Sequence, residues 1–291
     1  MAWRTLASVP EAVRRRARRS RSFVVGAVLV AAFVWGALLA PVLAPFDPYA
    51  VPANLEGASL QAPGRPFLLG TDLLGRDLFS RILYGGRVSL LVGLGAEVVA
   101  ALVGLAVGLA AGYYGRRVDS VLMRVTDVVM AFPSLVLAIG IMAAFQTRGI
   151  DKVILVLALL GWTTIARVVR GEVLALRERE FVTAARALGV GDAMLLGRYL
   201  VPNLMGPFLV AATLGVAGNI VAEAGLSFLG LGAQPPTISW GAMLAEGQAF
   251  LTSSPWVAVF PGLALMLAVL GVNLLGDGLR DLLDPRLRRD H

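Results

Sequence analysis

The chain has 291 residues, 57% of them hydrophobic and only 15% charged, with a formal net charge of +7 and a mean hydropathy of +0.77. A soluble domain carries about a quarter charged residues, so this balance excludes a water-soluble globule and a disordered chain alike. Cysteine is absent and the single histidine is His291, which excludes disulfide frameworks, thiolate catalysis, cysteine-ligated metal centres and a buried histidine acting as base or ligand.

Seven arginines precede Phe23, and residues 22–46 then run for 25 positions without a charge. Such a run is long enough to cross a bilayer core of roughly 30 Å. It exceeds the apolar region of about 7–15 residues in a cleaved signal peptide, so an uncleaved first helix near 23–45 is expected. The basic run 14–21 sits directly before that span. Anionic headgroups are therefore its expected partner, and no nucleic acid is expected.

Segment 47–87 carries a short echo, LLGTD at 68–72 and LLGRD at 73–77. Gly70 and Gly75 break the chain, and Asp72 or Asp77 is placed to cap a short helix. Leu73, Leu74, Leu78, Ile82 and Leu83 suit an amphipathic helix lying at the outer interface. The second span, 88–113, is interrupted only by Glu97 and carries Ala100, Gly104, Gly108 and Gly112 at intervals of four. That stripe lets another helix approach closely, since lipid provides no hydrophobic drive for association. Pro133 is expected to kink the third span, 119–146, where Arg124 and Asp127 stand three apart and are expected to neutralise each other. A fourth span lies near 152–170.

The loop 171–202 predicts a helix over 177–188, with Phe181, Ala185 and Leu188 on one face and Arg179, Glu180 and Arg186 offering charge. Gly189 supplies a left-handed stop, and Asp192 is placed to cap a second helix running toward Pro202. A short helix held between two spans either docks a soluble partner or lies on the headgroups. In the fifth span, 204–229, Asn219, Glu223 and Ser227 recur every four residues as one polar stripe. This stripe lines a water-filled pathway or bonds to neighbouring helices. The sixth span lies near 256–276.

With the N-terminus inside, twenty of the 26 Lys and Arg residues fall in inner segments. The expected fold is therefore an all-α membrane protein with six transmembrane helices and both termini in the cytoplasm. The one lysine, Lys152, belongs to no GxxxxGK[ST] loop, so this chain builds no such nucleotide site. HExxH and GxSxG are also absent, which disfavours a membrane enzyme. No catalytic residue, cofactor site or metal site is expected.

The loop resembles the EAA signature of ABC importer permeases: Glu-Ala-Ala, three residues, Gly, nine residues, and an Ile-x-Leu-Pro-like ending. Here it reads Thr183-Ala184-Ala185, Gly189 and Tyr199-Leu200-Val201-Pro202 with every spacing kept; Thr183 stands where the pattern has Glu. Residues 70–93, 123–138, 223–244 and 273–288 are similar to the C-type permeases of dipeptide, oligopeptide and nickel ABC importers. The resemblance implies the type I ABC importer permease fold. It divides the chain into a basic cytoplasmic segment 1–22, a first transmembrane helix and outer segment 23–69, a permease core 70–276, and a cytoplasmic tail 277–291. It implies that Arg179, Glu180, Thr183, Ala184, Ala185, Gly189 and Pro202 dock an ATPase subunit. It further implies a B-type permease partner in a heterodimer, two ABC ATPases using ATP and Mg, an extracytoplasmic solute-binding protein, and a bacterial or archaeal cytoplasmic membrane. Peptide is the expected cargo, with nickel or another solute as the alternative. The rival is a transporter driven by an ion gradient, for which Glu97 and Glu223 would be the anchors.

Overall fold

A computed structural model describes residues 20–50 and 57–283; most of the basic segment 1–22 and the end of the tail 277–291 lie outside them. Among the described residues the secondary structure is helical, apart from one isolated bridge between Thr71 and Asp77. The main helices are α1 (Arg21–Leu38), α2 (Leu78–Tyr114), α3 (Arg116–Met130), α4 (Ser134–Ala144), α5 (Ile150–Arg177), α6 (Glu180–Ala187), α7 (Val201–Phe228), α8 (Trp240–Gln248) and α9 (Trp256–Leu283).

Prolines explain where the first and third expected spans break. Ahead of Pro41, α1 ends at Leu38 and a separate turn Ala40–Leu43 follows. A proline cannot donate to the carbonyl four residues back, which here is that of Ala37. The Arg87 guanidinium takes that carbonyl instead, with Nε 2.7 Å from it and Nη2 3.1 Å from the Leu38 carbonyl. The third span is not one continuous helix: α3 and α4 are bent by 84° across the break before Ser134, where Pro133 interrupts the hydrogen-bond ladder.

Five helices have the length and composition to cross a bilayer, and the bent pair provides the sixth crossing if it spans as one. The packing of α2 on α5 favours that count. Cβ atoms added at Gly104, Gly108 and Gly112 would lie 2.6–2.7 Å from the Cβ atoms of Ile165, Val169 and Val173 in turn. Both sequences advance in step, so the helices are parallel, and the chain between them must return across the bundle. The glycine stripe has the close-packing role expected of it.

At the other side of the bundle α1 packs on α9, with Gly278 against the backbone of Phe23 and Gly271 against Leu29. The starts of α1 and α7 and the end of α9 thus share one end of the molecule, since Leu283 also adjoins Gly206.

At the opposite end, the separate amphipathic helix expected to carry Leu73, Leu74, Leu78, Ile82 and Leu83 does not form among the described residues. Leu78 opens α2 itself, a helix of 37 residues and so about 55 Å long. Asp77 caps it, its carboxylate accepting from the Ser80 amide at 2.8 Å. Residues 57–77 fold over this end: Gly70 and Gly75 adopt φ values of +80° and +79°, conformations open to glycine. The buried Trp240 of α8 fills the space beside Gly85 and Gly86, and its indole N–H donates to the Ile82 carbonyl at 3.0 Å.

Candidate functional site

The loop between α5 and α7, expected to dock an ATPase, is a compact turn closed by backbone hydrogen bonds. In α6, Val182 and Ala185 are buried in a cluster with Leu195, Leu200 and Leu204, while Tyr113 and Val190 pack against that cluster. The helix closes at Gly189, whose φ is +80°. The Gly189 amide donates to the Arg186 carbonyl at 3.0 Å and the Val190 amide to the Ala185 carbonyl at 3.1 Å, the paired closure that a left-handed residue permits. The helix is shorter than the expected 177–188, and the spacing of its faces differs in one residue. Ala185 points into the protein, so the exposed apolar stripe is Phe181, Ala184 and Leu188. Leu188 is 85% exposed and Phe181 41%. Arg179, Glu180, Thr183 and Arg186 are exposed around that stripe. Thr183 turns its hydroxyl back to the Arg179 carbonyl at 3.3 Å.

Asp192 does not cap a helix. Its carboxylate accepts the Tyr113 hydroxyl at 2.6 Å, and Gly191 occupies the cap position without a side-chain bond. The turn Asp192–Met194 passes through a wider π-helical stretch, Leu195–Leu200, directly into α7. Pro202 accounts for the widening, because its ring would clash with the Arg198 carbonyl in a regular α-helix. The Asn203 amide side chain donates to the Tyr199 carbonyl at 2.6 Å.

The polar residues within the spans also find partners. Asn219 donates to the Glu97 carboxylate at 2.9 Å. Glu223 is fully buried and accepts from Ser89 of α2 at 2.9 Å and from Ser227 at 2.7 Å. Ser227 in turn accepts from the Ala233 amide at 3.0 Å. Asn219, Glu223 and Ser227 therefore stand between α7, α2 and the loop after α7, in the packing arrangement rather than along an open surface. These bonds offset the cost of carrying carboxylates into a span. The expected pairing of Arg124 with Asp127 is replaced by one between helices: Asp127 is paired with Arg167 at 2.6 Å, and Asp119 with Arg170 at 2.5 and 2.7 Å.

Sequence reasoning missed the cluster at the Leu78 end. Arg81 is almost fully buried. It is paired with Asp72 at 3.4 Å and with Glu246 of α8 at 2.7 Å, and Arg76 with the same two at 2.7 and 3.3 Å. A repeated Gly-x-Asp pattern marked the turn, but nothing local pointed to Glu246.

Comparison with known proteins agrees with this architecture. Residues 104–289 match the family described as binding-protein-dependent transport system inner membrane component, and residues 11–63 match the N-terminal TM domain of oligopeptide transport permease C. The chain is 41% identical to a dipeptide transport system permease protein of Alkalihalophilus pseudofirmus, covering 94% of this chain and 89% of the relative. It is 39% identical to an oligopeptide transport system permease protein of Bacillus subtilis, covering 94% and 88%. The fold is similar to a chain of the MetNI methionine ABC transporter in an inward-facing conformation, with a TM-score of 0.58, 17% identity, and coverage of 70% of this chain and 96% of that one. The helical bundle agrees with these relatives, and the chain belongs to the binding-protein-dependent transport system inner membrane components, the permeases of ABC importers.

Proposed function

We propose that this permease moves peptides inward by alternating access, powered by separate ATPase subunits that grip its docking loop. The observation that carries this reading is the exposed stripe Phe181, Ala184 and Leu188 on a helix whose other face is locked by Val182 and Ala185. Apolar anchors at this spacing, ringed by Arg179, Glu180 and Arg186, are what a groove on a soluble partner engages. ATP and Mg2+ stay with the ATPases, a B-type permease completes the pathway, and a solute-binding protein delivers cargo from outside. Peptide is favoured as cargo by the dipeptide and oligopeptide relatives.

The gradient-driven rival loses support because Glu97 and Glu223 are both engaged by side chains of this same chain. Gentle purification of tagged protein from its native membrane, with mass spectrometry of what stays bound, tests the assignment. A second permease and ATPase subunits are expected with the wild type. Leu188→Asp is expected to lose the ATPases while keeping the second permease. Reproducible recovery of this chain in a homo-oligomer without an ATPase would sink the reading.

A further inference from the structure

We infer that Tyr113, at the end of α2, is the positioning residue through which movement of the docking loop reaches the α2–α5 pair; this rests on the docking role proposed above. Three observations converge on it. The Tyr113 hydroxyl donates to the Asp192 carboxylate at 2.6 Å, within the short range of hydrogen bonds to an ionised acceptor. The Arg186 guanidinium lies over its ring, 5.6 Å from the centroid, a cation–π distance. The ring itself packs against the cluster formed by Val182, Ala185, Leu195 and Leu200.

Arg186 and Asp192 stand on opposite sides of Gly189, so one side chain holds both arms of the docking turn. Arg186 lies in the last turn of α6 and Asp192 begins the approach to α7. Their positions relative to each other are set by the closure at Gly189, and their position relative to the bundle by Tyr113. The next residue back, Gly112, is pressed against Val173 of α5, and its carbonyl accepts from Arg177 at 3.1 Å. A displacement of the turn is thereby delivered to two helices that are locked together at three successive glycines. Because α2 continues unbroken to Leu78, the displacement arrives at the opposite face, where Arg81 joins Asp72 to Glu246. Coupling over such a distance is carried by rigid elements and packed contacts, and α2 supplies both.

The test uses the whole complex, with permease pair and ATPases in nanodiscs, partner subunits stripped of cysteine, and ATP with orthovanadate as the probe. This chain has no cysteine of its own. One spin-label pair, Ala187→Cys with Leu283→Cys, reports the docking loop. A second, Leu73→Cys with Leu251→Cys, reports the far end. In the wild-type background both distances are expected to shift on adding nucleotide. In Tyr113→Ala the loop pair should still shift and the far pair should lose its shift. Tyr113→Phe, which keeps the ring and removes the hydroxyl, should weaken the far shift, and Asp192→Asn, which keeps an acceptor, should preserve it. A far shift of wild-type size in Tyr113→Ala, with the loop responding, overturns the inference and leaves the docking role standing. A loop pair silent to nucleotide in the wild type overturns the docking role, and this inference with it.

Discussion

At Gly108 the difference between hydrogen and a methyl group decides whether α2 and α5 can touch. A Cβ there would lie 2.6 Å from the Ala166 carbonyl oxygen and 2.6 Å from the Val169 Cβ, far inside contact distance. A backbone oxygen cannot swing aside as a flexible side-chain tip does, so the helices would have to part. Gly108→Val should lower bundle stability by about 1–3 kcal/mol, the range for overpacked cores, read as a reduced melting temperature in detergent. Gly140→Ala is the matched control, since nothing lies within 4 Å of its added Cβ, and it should melt no earlier than the wild type. The stripe was legible because its signal is local: one small residue per turn on one face. Partners of charged residues were not legible in this way. Glu97 announced a cost without naming Asn219, 122 positions away, and Asp127 had a plausible neighbour in Arg124 but bonds Arg167.

Elements at the Leu78 end are joined by charge where the spans are joined by glycine. Asp72 accepts from the amides of Leu74 and Arg76, each at 2.9 Å, and from the Arg76 guanidinium at 2.7 Å. Its carboxylate also faces the buried Arg81. One side chain thus shapes the turn, fixes it to α2 and, through the arginines, to α8. Asp72→Ala takes one of two carboxylate partners from the buried Arg81 and the acceptor from two backbone amides, so it should cost about 1–3 kcal/mol. Faster proteolysis within 57–77 and an earlier melting transition would register it; unchanged behaviour in both would mean that Glu246 alone holds Arg81. The same chemistry explains why the sequence placed the second span at 88–113 and not from Leu78. Arg81 and Arg87 interrupt the apolar pattern, and their charges are absorbed by Glu246 and by the carbonyls freed ahead of Pro41, all far away in sequence. The helix α6 and its stop were readable because Gly189 directly follows the apolar spacing, within one short stretch of sequence.

For the whole molecule, the number of crossings follows from how helices run side by side. Parallel packing of α2 on α5 requires α3 and α4 together to carry the chain back across the bundle, despite their 84° bend. The contact of Gly278 with Phe23 puts the start of α1 and the end of α9 at one end, which an even number of crossings demands. The loop around Gly189 belongs to that end as well, since it feeds α7 where Leu283 adjoins Gly206. Arginine content then orients the bundle, because basic segments stay on the cytoplasmic side. Absence of native cysteine makes the arrangement directly measurable with single substitutions at exposed positions: Gly191→Cys in the loop before α7 and Ser253→Cys between α8 and α9. A membrane-impermeant maleimide should label Ser253→Cys in spheroplasts and spare Gly191→Cys, and inverted vesicles should reverse the pattern. Labelling of both from the same side would break the parity, and the bent pair could then no longer count as one crossing.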